Sequence, residues 1–89
     1  MLKGNKLYEA ENYFTEALRL ASETGNRTGE AFAEFGLGKV FQAQRKVEKS
    51  REHLTRAQVV FKELGLSDRV TMVQSELDTL EQKARLMNI

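Results

Sequence analysis

Proton transfer is the chemistry these side chains could most readily perform. Glu9, Glu16, Glu63, Glu76, Asp78 and Glu81 are spread along the chain, and two carboxylates on facing elements suffice for general acid and base work. Their spacing favours solvation instead, because the charges fall on the outer faces of amphipathic stretches. His53 is the single histidine. With no cysteine beside it and Glu52 pointing in a different helical direction, it completes neither a metal set nor a triad, and is expected at the surface. Gly36 and Gly38 follow no strand and so form no phosphate loop; close helix packing is the role expected of Gly38. Lys39, Arg45, Lys46, Lys49, Arg51 and Arg56 make a basic middle of the kind nucleic acid attracts. Glu48 and Glu52 interrupt that run, however, and no aromatic interleaves with the cations. The residues therefore predict no catalytic residue, cofactor site or metal site.

The elements that would carry these groups are helices. The chain has 89 residues, 40% hydrophobic and 30% charged, with no proline and no cysteine. That length is one domain with a thin core, near the size at which a partner or self-association helps stability. Fourteen basic residues against thirteen acidic leave a net charge of +1, which steers the chain to neither nucleic acid nor an anionic membrane. Lys3, Glu9, Glu11, Glu16 and Arg19 break up the first twenty residues, so no membrane span or signal segment is expected there. The lack of cysteine fits a reducing, cytoplasmic location.

Breakers at Gly4-Asn5, Thr24 to Gly29 and Leu64 to Ser67 divide the chain into helical stretches. Leu7, Ala10, Phe14, Ala17, Leu18 and Ala21 recur at three- and four-residue steps, the period of one helix face. Ala33, Leu37, Val40 and Phe41 make a second stripe. Val47, Leu54, Ala57, Val60, Phe61 and Leu64 make a third, and Val70, Val73, Leu77, Leu80 and Ala84 a fourth, with Ser67 as its N-cap. A shift of forty residues then superimposes Phe14 on Leu54, Ala17 on Ala57, Leu20 on Val60 and Gly25 on Gly65. Ala33, Leu37 and Val40 fall likewise on Val73, Leu77 and Leu80. Internal repeats of this length bury their faces by stacking on one another.

Leu37-Gly38 followed by Phe41, then Ser50, Leu54 and Ala57, together with Ala10, Phe14, Ala17 and Leu18, resemble the tetratricopeptide repeat (TPR) family. The run from Ala17 to Ala31 is similar to the longer repeat subtype, of about forty residues. Glu34 stands where that family often has tryptophan, and Ser50 where alanine is usual. The resemblance implies an all-α fold of antiparallel helix-turn-helix repeats, a TPR-like α-solenoid fragment of about four helices, with 1–89 as one domain. Residues 5–24 would be the second helix of a partial repeat, 29–64 a full helix pair and 67–86 a capping helix. Asp78 and Glu81 would give that cap a polar outer face.

In such repeats the first helix of each pair lines a groove for a peptide or helix. By position the groove would present Phe32, Phe35, Lys39 and Gln42 from one helix and Met72, Ser75, Thr79 and Gln82 from the next. Its expected ligand is another protein or peptide with apolar anchors. Homodimerisation is the competing expectation. The stripe containing Leu7, Phe14 and Leu18 lacks a preceding helix to cover it. Residues 43–47, Ala-Gln-Arg-Lys-Val, also lack any residue that favours a turn, so a hairpin there competes with a continuous helix from Gly29 to Leu64 in a domain-swapped dimer with two helices fused.

Overall fold

The computed structural model describes the backbone of residues 2–87 and the side chains of residues 6–86. It is all-helical: α1 (Leu2–Thr24), α2 (Arg27–Ala43), α3 (Val47–Glu63) and α4 (Ser67–Met87), with no strand among the described residues. The first helix starts ahead of the expected boundary. Gly4 and Asn5 are absorbed between helix-forming neighbours, and one glycine in a helix costs only about 1 kcal/mol.

Each helix folds back on the one before it. Arg27 pairs with Glu63, Glu34 with His53 and Gly38 with Ser50, so α2 and α3 run in opposite directions. Arg51 with Glu81 and Gln58 with Gln74 show the same for α3 and α4. The core is a cluster of Ala31 from α2, Leu54, Ala57, Val60 and Phe61 from α3, and Val73 and Leu80 from α4. All four residues of the predicted α2 stripe are buried, whereas the α1 stripe is only half-buried apart from Ala21. The difference follows from the packing, because α2 is flanked by α1 and α3 while α1 packs mainly on α2.

The three connections share one hydrogen-bond pattern. Asn26 N–H donates to Ala21 at 2.8 Å, Lys46 N–H to Phe41 at 2.9 Å and Leu66 N–H to Phe61 at 2.9 Å. One residue earlier, Gly25 donates to Ser22, Arg45 to Gln42 and Gly65 to Lys62. This is the Schellman arrangement, which satisfies two of the last helical carbonyls and requires a left-handed residue just past the cap. Gly25 takes φ +70° and Gly65 φ +74°; between them Arg45 takes φ +63°. The continuous helix from Gly29 to Leu64 is thus not the structure of the single chain, and α2 and α3 form a hairpin. The physical reason is burial: folding α3 onto α2 removes Leu54, Ala57 and Phe61 from water, several kcal/mol in sum. The left-handed arginine costs only about 1–2 kcal/mol.

The cap expected at Ser67 moves by one residue. The carbonyl of Leu66 accepts the first helical hydrogen bond of α4, from Val70, so Ser67 is the first residue inside the helix. Asn26 and Lys46 hold the same place before α2 and α3. Only Asn26 caps with its side chain, to Gly29 N–H at 2.9 Å.

Candidate functional site

Phe14 sits against α2 because residue 36 is glycine: a Cβ there would lie 2.5 Å from the ring. The ring then forms one wall of an apolar groove of about 450 Å3, with Leu7 beside it on α1 and Phe32, Phe35, Gly36, Lys39 and Val40 along α2. Phe32 anchors one end. Its ring meets that of the buried Phe61 edge-on at 5.1 Å, and the Arg69 guanidinium lies 5.2 Å from its centroid. Even so, Phe32 remains 40% exposed. At the rim, Lys39 Nζ lies 3.0 Å from Glu76 Oε1 of α4. The groove thus combines an aromatic lining with a charged rim, at which Lys39 is paired with Glu76.

Two expected sets of residues meet in this groove. Phe32, Phe35 and Lys39 belong to the expected partner surface, and Leu7 and Phe14 to the expected self-association face. Leu18 is placed elsewhere, in a groove with Ser22, Glu30, Glu34, Thr55 and Val59, on the side of α2 about half a turn away from the first. Gln42 lines a third depression with Ala43, Arg45, Val47, Leu80, Lys83 and Leu86. Met72 is half-buried, and Ser75, Thr79 and Gln82 are exposed on α4; these four line none of the three. The predicted surface is therefore divided, with its apolar half on α1 and α2.

The charged groups are mostly paired. Arg51 bridges Glu48 and Glu81, and Arg56 meets Glu52, so half of the basic middle, counting Lys39, is matched by acid. Ser22 Oγ donates to Glu30 Oε2 at 2.9 Å and, with Arg27, holds that carboxyl below the usual carboxylate range. No group of three or more metal-ligating side chains occurs among the described residues.

His53 departs from its expected surface position. Its Nδ1 lies 2.6 Å from Glu34 Oε1, the two side chains being 16% and 11% exposed. The imidazole also stacks on Phe41, with centroids 5.3 Å apart. The reason is register: Glu34 shares a face with Ala31, Gly38 and Phe41, and His53 one with Ser50, Ala57 and Val60, on helices that run antiparallel. An ionisable residue on each of two facing apolar stripes was the signal in the sequence. Ser50, likewise buried, donates from Oγ to the Gly38 carbonyl at 2.8 Å. His53→Ala is expected to lower stability by about 1–3 kcal/mol, the cost of leaving a buried acceptor without its partner. Replacing Glu34 and His53 together by methionine should cost less than His53→Ala alone. Urea midpoints at neutral pH measure both, and an unchanged midpoint for His53→Ala would remove the pair from the account of stability. No protein-family model, curated protein or solved structure matches this chain.

Proposed function

We propose that this chain is a non-catalytic protein-interaction module of tetratricopeptide type, acting in the cytoplasm. The groove it offers lies between α1 and α2, not along the first helices of successive pairs as the resemblance implies, and it receives a peptide or helix with apolar anchors from another protein. The observation that carries the reading is the groove itself, in which Phe14, Phe32 and Phe35 surround an open apolar channel beside Lys39. Aromatic side chains have few rotatable bonds, give up little conformational entropy on binding and tend to dominate interface energetics. A bound amphipathic helix would bury its apolar face there, with an acidic residue in reach of Lys39.

Homo-oligomerisation is the second reading, favoured by one specific observation: Leu7 and Phe14 line this groove, so two copies could cover each other's α1. The two readings separate by titration with helical peptides selected from a library, followed by amide chemical shifts of the labelled chain. Perturbations at Phe32, Phe35, Gly36 and Lys39 are expected. Leu7→Glu should weaken those peptides at least about tenfold while helicity is retained. Peptide shifts that map to α4 instead would sink the groove reading. A loss of peptide binding as protein concentration rises would favour the second copy as occupant.

A further inference from the structure

The hairpin between α2 and α3 turns on a residue poorly suited to it. Gly25 and Gly65 occupy the left-handed position of the two outer turns without strain, but in the central one the same position is held by Arg45 at φ +63°, where a Cβ crowds the backbone. Its neighbours do not favour a turn either, for Gln42, Ala43, Gln44 and Lys46 are all good helix formers. Among the described residues, the buried acceptor Gln44 Oε1 beside the turn has no hydrogen-bond partner. What holds it closed is packing between α2 and α3: Glu34 on His53, Ser50 on Gly38 and Arg27 on Glu63.

We propose that the α2–α3 turn is a hinge through which two copies of this chain exchange their α3–α4 halves. In the open state Gln42 to Lys46 continue as helix, Arg45 takes ordinary helical angles, and α3 of each copy packs on α2 of the other. Every α2–α3 contact re-forms between chains, because both surfaces are unchanged; the exchange loses no burial and relieves the left-handed arginine. The outer turns cannot open at comparable cost, since each would place a glycine inside a helix. The hinge is therefore specific to residue 45, and the groove survives the exchange, because Phe61 and Glu76, which Phe32 and Lys39 meet, are then supplied by the other copy.

The test uses the whole chain, refolded from denaturant at low and at high protein concentration, with mass read by light scattering. The expected result is a species of twice the 10.2 kDa chain mass, favoured by refolding at high concentration. Its connectivity is read by a variant with Arg27→Cys and Glu63→Cys, the only cysteines in the chain, joined by a short bismaleimide. The exchanged dimer links the two chains covalently, whereas a monomer or a dimer formed through surfaces alone links each chain to itself. Arg45→Gly relaxes the turn and disfavours the continuous helix in both chains, so the dimer should dissociate about 100-fold more readily, roughly tenfold per hinge. Arg45→Ala, with the better helix propensity and no relief in the turn, should hold the dimer at least as tightly as the parent. A chain monomeric at every concentration, a dimer cross-linked only within chains, or a dimer indifferent to Arg45→Gly would each overturn the proposal.

Discussion

Phe61→Ala is expected to lower the unfolding free energy by about 3–5 kcal/mol, the range for truncating a buried aromatic. For a domain of this length the whole stability is roughly 4–13 kcal/mol, so the variant should sit near the edge of folding. Three roles converge on this residue. Its side chain is completely buried in the cluster shared by α2, α3 and α4. Its ring supports Phe32 edge-on, and with it one end of the α1–α2 groove. Its carbonyl closes the α3–α4 turn by accepting from Leu66. Alanine keeps the last role and loses the other two, so any folded fraction should show changed amide shifts at Phe32. Val59→Ala, two residues away on the exposed face of α3, is the control, with a change within about 0.5 kcal/mol. Urea unfolding followed by circular dichroism measures both. A loss below about 1.5 kcal/mol for Phe61→Ala would mean that the site collapses around the missing ring or that the cluster is not the core.

How much of this architecture could be read in the residues depends on the interaction concerned. Stripes such as Ala33, Leu37, Val40 and Phe41 are legible because burial is periodic along one helix. Turns at Gly25 and Gly65 are legible because only glycine takes a left-handed φ without strain. The turn at Arg45 is not legible in this way. Its conformation is imposed by helices that pack on either side of it, and tertiary burial overrides local preference by more than the strain involved. The same override draws Glu34 and His53 into a buried contact, visible only once the register of the two helices is known. The resemblance groups Phe32, Phe35 and Lys39 with residues of α4, whereas the structure sets them beside Leu7 and Phe14. That wall was not legible, because it depends on how Phe14 settles over Gly36. Leu18 follows the same stripe in sequence yet faces another groove, since a stripe wider than a quarter-turn can meet two neighbours.

Gly38 and Leu54 should behave as a coupled pair. A Cβ at residue 38 would lie 2.6 Å from both Cγ and Cδ2 of Leu54 and 3.3 Å from its backbone nitrogen. Leu54 is fully buried and cannot swing aside as an exposed side chain would. Gly38→Ala therefore sets a helix-propensity gain of about 1 kcal/mol against overpacking that typically costs about 1–3 kcal/mol or more, and the net change is expected to be destabilising. Leu54→Ala alone should cost about 2–5 kcal/mol through the cavity it opens. In the double variant the new methyl group enters that cavity and meets no branched neighbour. Its loss should fall short of the sum of the singles by about 1–3 kcal/mol. Gly36→Ala provides the contrast: its Cβ would also press on a neighbour, the Phe14 ring, but that ring borders an open groove and can move into it. The expectation there is a smaller change in stability with a larger change in groove shape, seen as weakened peptide binding. Additive singles at 38 and 54 would show that α2 and α3 do not approach here as closely as the hairpin requires. Equal losses at 36 and 38 would show that the Phe14 wall is as fixed as the core, and the groove correspondingly less able to adapt to what enters it.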